Sequence, residues 1–356
     1  TKATTSTIIP TITCTSSNVL QTMLQASAQI GPSNLKILYG PDTYMGNNLV
    51  TFFDSILSHR DDSNASSSVS WTDERIAREL HPAHNRTTIQ QLRDNINVFP
   101  HGNCVVHHMF GNEVVDTVRT HYQDAFVTAH LEVPGEMFQI AMEKSLHGNG
   151  TTGSTSDILQ FISKKVNEAV ANDDNKKNGG GERLQFILGT EAGMVTSIVT
   201  SVQDILGQHP GAQVEVEIIF PVASEAVMGV EDTDGNNNNN LSIVPGVGGG
   251  EGCSTAGGCA TCPFMKMNDI DALQDIIDMV GTSKSKSSSS SETAAAAAES
   301  TLKGHLPPDR LKNKTLMDGK SAIELGIEPI MYMRHFMHNK NMHPDLVRRI
   351  QSETTS

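Results

Sequence analysis

Short apolar runs alternate with longer amphipathic stretches along most of this chain. The short runs have the length and the apolar or alternating character of β-strands, and they lie at residues 35–39, 103–106, 124–129, 184–188 and 214–220. Between them, apolar residues recur at spacings of three and four, which predicts helices at residues 19–30, 135–144, 155–170 and 195–206. Repeated alternation of strand and helix predicts an α/β fold, with parallel sheets that carry helices on both faces.

Polar stretches interrupt this pattern and contain too few apolar residues to offset the entropy of becoming ordered. We predict that they are solvated insertions, at residues 61–70, 172–182, 232–240 and 283–300. The third contains five consecutive asparagines, and the fourth contains serine and alanine tracts.

The remaining segments suggest three regions. We expect one α/β unit over residues 1–106, a second over residues 107–262, and a mainly helical region over residues 263–356 in which 283–300 is disordered. A chain of 356 residues is long enough for two or three domains and for a site between them.

Charge and hydropathy exclude two classes of function. The formal net charge is −14, and the chain has no block of clustered Lys and Arg, which argues against a nucleic-acid binder. No apolar run reaches the length of about 18 residues that a membrane span needs. The chain begins with Thr1 and lacks an initiator Met, so we expect it to start downstream of its natural beginning, with any targeting peptide outside it.

The five cysteines are too few for a disulfide scaffold, and three of them, Cys253, Cys259 and Cys262, fall close together among glycines and before Pro263. Thiolates in such a flexible loop suit a soft metal and a reducing compartment. A zinc knuckle is a weaker alternative, because a second C-x-x-C or a matching His pair is absent. A redox dithiol is weaker still, because the pair lacks a thioredoxin-like setting.

The other two cysteines stand alone. Cys104 lies at the end of the run at residues 103–106, where α/β proteins place ligands, although an isolated cysteine there is more often a small buried hydrophobe. Cys14 follows an extended apolar run at residues 8–12, and we expect it to serve packing.

An ordered set of short motifs carries a family resemblance. The motifs lie at residues 13–18, 39–42, 104–107, 129–132, 153–155, 189–194 and 259–263, and the match continues through 320–336. Each is weak alone, but together and in this order they resemble the quinolinate synthases, and the plastid-type eukaryotic form most of all. The resemblance implies three similar three-layer α/β/α domains with parallel sheets, arranged about a pseudo-threefold axis. Two of the three are expected here, followed by a helical C-terminal tail.

The resemblance also implies an activity and a cofactor. A quinolinate synthase condenses iminoaspartate with dihydroxyacetone phosphate to give quinolinate in de novo NAD biosynthesis. It uses a [4Fe-4S] cluster held by three cysteines, which leaves one iron open to substrate. The alternatives are another iron–sulfur hydro-lyase, which would release no phosphate, and a truncated subunit that is catalytically incomplete.

Cluster ligands follow by position in the motifs. Cys104 matches the second family ligand and Cys262 the third, whereas Cys253 and Cys259 would be neighbours of the cluster. The first ligand belongs to an upstream domain that we expect to lie outside this chain. The chain as given is therefore not expected to build a complete cluster unaided.

Three residues are candidates for catalysis. His130 and Glu132 lie two residues apart at an expected strand end, so both can face one pocket and exchange protons with substrate. His107 matches the family histidine that binds substrate. Without the resemblance, His130 would be read as a structural histidine and Glu132 as a surface carboxylate.

Hydroxyl groups at two places are candidates for substrate binding. Ser154 and Thr155, at an expected helix start, resemble the family's anion-binding pair, although they also fit a helix N-cap. Ser16 and Ser17 could serve the same purpose, but their motif is also an ordinary turn. The family further suggests L-aspartate oxidase as the functional supplier of iminoaspartate, a homodimer, and a plastid location, with the cytoplasm as the alternative.

Overall fold

A computed structural model describes residues 5–58, 70–102, 104, 106–175, 181–191, 193–222, 241–244, 270–271, 274 and 319–354. Cys253, Cys259 and Cys262 lie outside the described residues, as do the insertions at 232–240 and 283–300. The chain divides into two compact units. One contains Thr1–Thr13 and Cys262–His338, and the other contains Cys14–Thr261 and Asn339–Ser356.

The larger unit begins with a helix-rich region built around a small parallel sheet. Its elements are α1 (Val19–Ile30), β1 (Ile37–Tyr39), α2 (Thr43–Ser58), α3 (Asp73–Glu79), α4 (Arg86–Asp94) and β2 (Ile96–Val98). Strands β1 and β2 pair in parallel, with Ile37 opposite Ile96. The helices bury an apolar cluster that includes Leu24, Phe53 and Ile89, each without exposed surface, and burial of this apolar area stabilises the region.

A five-stranded parallel sheet forms the second part of this unit. After a 3-10 turn at His107–Met109, the elements are α5 (Asn112–His121), β3 (Phe126–His130), α6 (Gly135–Ser145), β4 (Gly150–Gly153), α7 (Thr155–Asn175), β5 (Glu182–Gly189), α8 (Gly193–Gln208), β6 (Val214–Ile219) and β7 (Leu241–Val244). The strand order is β4-β3-β5-β6-β7. This is the doubly wound order 2-1-3-4-5, in which strands buried on both faces read as continuous apolar runs.

The expected parallel α/β fold is confirmed for the described residues, and most predicted elements agree closely with the observed ones. The predicted helix at residues 19–30 has the observed bounds of α1, and the helix predicted at 135–144 is one residue shorter than α6. Several short elements, such as β2 and β4, were not predicted. The pseudo-threefold arrangement and the boundary between residues 106 and 107 stay predictions.

The strand predicted at residues 103–106 is wrong, because neither Cys104 nor Val106 lies in a strand. The strand of this region is β2, which pairs with β1 earlier in the chain. Pro100 follows β2 and has no amide hydrogen to continue a ladder. The apolar Val106 is buried in the turn beyond the loop, so its hydrophobicity reflects tertiary packing.

The described part of the C-terminal region is mainly helical, as expected. Helix α9 spans Ala322–Asn339 and helix α10 spans Pro344–Thr354. Helix α10 packs against α1, next to a hydrogen bond in which the Met342 amide donates to Gln29 Oε1 at 2.7 Å. Among the described helices, none combines the length and hydropathy needed to cross a bilayer.

Candidate functional site

The strand order places a ligand site at the carboxyl ends of β3 and β5. Strand β4 lies on one side of β3 and strand β5 on the other, so the chain changes direction between them. In doubly wound sheets, ligands bind in the crevice at this switch point. His130 ends β3 opposite Gly153 of β4, and Gly189 ends β5 opposite Ala129. The sheet therefore brings the motifs at residues 129–132, 153–155 and 189–194 to one edge.

The turn after β3 fixes Glu132 relative to His130. The Glu132 amide donates to His130 Nδ1 at 3.3 Å, and the Val133 amide donates to the His130 carbonyl. Asn48, buried in α2, donates from Nδ2 to the carbonyls of Leu131 and Val133 at 2.9 and 2.8 Å. This asparagine was not predicted to matter. The sequence feature that could have marked it is a polar residue on the otherwise apolar face of an amphipathic helix.

A loop supplies Cys104, and its contacts to the start of α2 hold it in place. The Gly102 amide donates to Thr43 Oγ1 at 2.9 Å, and the Thr43 amide donates to the Gly102 carbonyl at 2.5 Å. A Cβ at Gly102 would lie 1.9 Å from the Pro41 carbonyl oxygen, so only glycine fits there. The carboxylate of Asp42 accepts from the Met45 amide at 2.6 Å and also from the Cys104 amide.

Three side chains meet at the point where this loop faces the strand end. His107 Nδ1 lies 3.3 Å from Cys104 Sγ and 3.1 Å from Glu132 Oε2. One ligand atom from each of the three residues lies within 4.8 Å of the others, so the group could hold a metal ion. Cys104 and His107 are distant in sequence from Glu132, yet the three predicted residues form a single cluster.

Two histidines of the site, His107 of this cluster and the adjoining His130, have pKa values shifted in opposite directions. Burial opposes the charge on His107, but the hydrogen bonds and negative charges of Cys104 and Glu132 outweigh it and raise the pKa of His107 to about 9. Burial and the charge on His107 lower the pKa of His130 to about 4. The two rings stack with centroids 4.5 Å apart. At neutral pH, His107 is therefore charged and His130 is neutral.

Glu132 is ionised beside this pair. Burial would raise its pKa, but the hydrogen bond from His107 and the positive charges on His107 and, at acid pH, on His130 lower it overall. Its side chain is 28% exposed, whereas the side chains of His107 and His130 are 7% and 6% exposed. Solvent or substrate therefore reaches this carboxylate more readily than it reaches either histidine.

Ser16 also joins the site, but Ser17 does not make the same contact. Ser16 Oγ lies 3.1 Å from His130 Nε2, so the hydroxyl contacts the ring nitrogen that faces away from Glu132. The Ser17 hydroxyl instead pairs with Thr15 Oγ1 at 2.8 Å in an exposed local turn. Of this predicted pair, only Ser16 lies against a predicted catalytic residue in the described structure.

Ser154 and Thr155 lie at the start of α7, beside the end of β3. The Ser154 amide and hydroxyl both donate to Asp157 Oδ2 at 2.7 Å, and the Asp157 amide approaches Ser154 Oγ at 3.4 Å. Ser154 therefore acts as a helix cap, which was one of its two predicted roles. An anionic substrate group at this terminus would have to share it with the Asp157 carboxylate.

Two buried polar atoms have no hydrogen-bond partner in the described part of the site. They are His107 Nε2 and Thr190 Oγ1, and Thr190 follows the end of β5. Because an unpaired buried polar group costs free energy, such atoms often mark a site that a ligand completes. Thr190 belongs to a motif whose role the sequence did not reveal.

Two residues near the site that were not predicted to belong to it, Tyr39 and Asp42, also have shifted pKa values. Burial, followed by the nearby charges of Asp42, Cys14 and Glu132, raises the pKa of Tyr39. Burial also raises the pKa of Asp42. For Cys14, burial raises the thiol pKa to about 11, which keeps it protonated at neutral pH and suits its predicted packing role better than metal ligation.

Comparison with known proteins gives a consistent relationship. The model of the family described as quinolinate synthetase A protein matches residues 1–206. A chloroplastic quinolinate synthase of Nicotiana tabacum is 42% identical over 360 residues, covering 100% of this chain and 45% of the relative. That of Arabidopsis thaliana is also 42% identical, covering 99% and 44%. A quinolinate synthase of Saccharolobus solfataricus is 29% identical over 103 residues.

The alignments with the plant relatives therefore cover almost all of this chain but less than half of each relative. The chain spans about 45% of the length of the plant relative that it matches from end to end. The family model covers more than half of the chain and includes every clustered residue of the site described above. The chain belongs to the quinolinate synthase family.

Proposed function

We propose that this chain is part of a quinolinate synthase that condenses iminoaspartate with dihydroxyacetone phosphate. The observation that carries the proposal is the cluster of Cys104, His107, His130 and Glu132 at the switch point of a doubly wound sheet. The cluster combines a thiol, a charged imidazole, a neutral imidazole and a carboxylate, which are groups that metal-assisted dehydration and proton transfer require.

A [4Fe-4S] cluster fits the donor chemistry at Cys104. Its side chain is half-buried, and cysteine sulfur is the usual protein ligand of iron–sulfur clusters. In our proposal, Cys262 provides another thiolate and a third comes from outside this chain. When bound, the cluster would supply an iron without a protein ligand that acts as a Lewis acid.

Glu132 and His130 are proposed to transfer protons. Ionised Glu132 can accept a proton from the substrate carbon or nitrogen as the enamine forms. Neutral His130 offers a second base, and its Nε2 already contacts the hydroxyl of Ser16. Neighbouring groups with pKa values pushed in opposite directions are the usual arrangement for separate acid and base roles.

His107 is proposed to bind negative charge on the substrates. Its raised pKa keeps the ring charged at neutral pH, so it can donate to a carboxylate or phosphoryl oxygen and protonate a departing hydroxyl. Its Nε2 atom is available for that contact within the described site. Ser154 and Thr155, at the α7 N-terminus, and Ser16 and Ser17 are proposed to bind the other anionic groups.

Several wider features belong to the same proposal. They are the pseudo-threefold arrangement of domains, supply of iminoaspartate by L-aspartate oxidase, a homodimer, and a plastid location. The chloroplastic names of the plant relatives support the last of these.

The test is to measure quinolinate and phosphate together. The full-length gene product that contains this segment would be reconstituted anaerobically with iron and sulfide and supplied with both substrates. We expect the two products in equal amounts, because each condensation releases one phosphate. Dehydration without phosphate release would favour the hydro-lyase, and no turnover at all would favour an incomplete subunit.

A matched pair of variants links the activity to the site. Glu132→Gln should lower kcat about 100-fold or more, since it removes a proton-transfer group. Glu136→Gln, an exposed neighbour in α6, should retain activity. Equal activities in the two variants would contradict the role of Glu132.

A further inference from the structure

The donor atoms of Cys104, His107 and Glu132 are already spaced like the corners of a metal site. Bonds of about 2.3 Å to sulfur and about 2.0–2.2 Å to nitrogen and oxygen, at tetrahedral angles, give edges of roughly 3.5 Å for S···N and roughly 3.3 Å for N···O. The observed edges are 3.3 Å for Sγ···Nδ1 and 3.1 Å for Nδ1···Oε2. These two contacts need to open by only a few tenths of an ångström to match a metal site, and the third pair of donor atoms lies within 4.8 Å.

The chemistry of the three donors selects the kind of ion. Thiolate and imidazole favour borderline and soft cations, whereas Mg²⁺ and Ca²⁺ prefer oxygen ligands alone. Sites with three protein ligands of mixed sulfur, nitrogen and oxygen character, and a fourth position open to solvent, are typical of reactive zinc centres. Of the common cellular cations, zinc therefore suits this set best.

The surroundings hold two of the ligands and leave a path for the ion. Asp42 holds the Cys104 amide, and Asn48 holds the turn that carries Glu132. These supports lie in α2 or directly before it, so one helix positions donors from two parts of the chain. Glu132 is partly exposed and Cys104 is half-buried, which gives an ion access from solvent.

We propose that, without an iron–sulfur cluster, this chain binds one zinc ion through Cys104 Sγ, His107 Nδ1 and Glu132 Oε2. The site shares Cys104 with the proposed cluster, so zinc and the cluster exclude each other. Zinc replaces the proton on His107 Nδ1, so binding releases a proton to solvent. The zinc form also occupies the carboxylate and the imidazole that the reaction uses. Zinc binding itself does not depend on quinolinate synthesis, because it follows from the geometry of the three donors.

The experiment uses cobalt as a spectroscopic probe for zinc. All samples carry Cys253→Ser, Cys259→Ser and Cys262→Ser, because these cysteines also offer thiolates to metal. The chain is titrated anaerobically with Co²⁺ and then with Zn²⁺. We expect one Co²⁺ per chain, a thiolate-to-cobalt charge-transfer band, visible bands of four-coordinate cobalt, and displacement of cobalt by zinc.

Substitutions of the ligands distinguish specific coordination by these three residues from nonspecific metal binding. Cys104→Ser should abolish the charge-transfer band, and Glu132→Gln should keep the band but weaken cobalt binding at least about 10-fold. Cys14→Ser is the control and should leave the titration unchanged, since that thiol stays protonated. Circular dichroism of each variant checks that the fold is retained.

Two results would overturn the proposal. One is a charge-transfer band that persists in Cys104→Ser, and the other is the absence of that band in the parent chain. Neither result bears on quinolinate and phosphate release by the full-length protein, so failure of the zinc site and failure of the proposed activity can be distinguished.

Discussion

The two halves of the site are positioned by different means. His130 ends β3 and Glu132 follows it, and β3 is paired on both sides within a five-stranded ladder. Cys104 and His107 follow β2, which belongs to a sheet of two short strands, and the intervening loop depends on contacts from Thr43 and Asp42. A ladder distributes its restraint over many backbone hydrogen bonds, whereas the loop depends on a few. We therefore expect single substitutions to disturb the Cys104 half more easily.

The largest expected effect tests the loop. Gly102→Ala would place a Cβ against the Pro41 carbonyl oxygen, a backbone atom that cannot rotate away. We expect the free energy of unfolding to fall by at least about 3 kcal/mol, as measured by denaturant titration. Gly111→Ala, whose Cβ would meet nothing within 4 Å, is the control and should cost far less. Equal losses of stability at the two glycines would show that the close approach of Pro41 to Gly102 does not constrain this loop.

Asn48 tests the link between the helix-rich region and the turn after β3. Asn48→Ala leaves two carbonyls of a buried turn without their amide donor, and we expect a loss of about 2–3 kcal/mol in unfolding free energy. The exposed neighbour Asn47→Ala should change stability by less than about 0.5 kcal/mol. If both variants were equally stable, the strand end would hold its turn without help from α2.

The smallest effect concerns acid sensitivity of the strand-end half. His130 has a folded-state pKa of about 4, below the ordinary value of 6.5, so the unfolded chain binds its proton first as pH falls. Stability is thus lost below pH 6.5, by about 2 kcal/mol at pH 5. His130→Gln should remove this pH dependence, and the exposed His147→Gln should not.

Denaturant titrations of the three proteins between pH 5 and 8 measure this dependence. Retention of the full acid sensitivity in His130→Gln would show that another group is responsible. Histidine resonances followed by NMR would provide an independent value for the pKa of His130.

The difference between the strand-end half and the loop half of the site also explains which parts of the fold could be predicted from the sequence. Strands β3, β5 and β6 are buried runs whose apolar character is visible locally, so their positions and their parallel pairing followed from the pattern. The loop before Cys104 has no such signal, because its shape depends on Thr43 and Asp42, which are distant in sequence. The strand predicted at residues 103–106, directly after this loop, was therefore wrong.

Site chemistry was predictable where family motifs marked it and less so elsewhere. The motifs identified Cys104, His107, His130 and Glu132, which the structure brings together. They did not show that Asp157 occupies the donors of Ser154, or that Asn48 supports the turn. Those contacts depend on how separate elements pack, which no local pattern records.

The most direct test of the central claim is the iron and sulfide content of two cysteine variants. The full-length protein would be reconstituted anaerobically as wild type, Cys104→Ser and Cys14→Ser. If Cys104 is a cluster ligand and Cys14 serves packing, Cys104→Ser should lose the four irons and four sulfides of a [4Fe-4S] cluster. Cys14→Ser should retain them. Equal iron and sulfide in the two variants would contradict the assignment of Cys104 to the cluster.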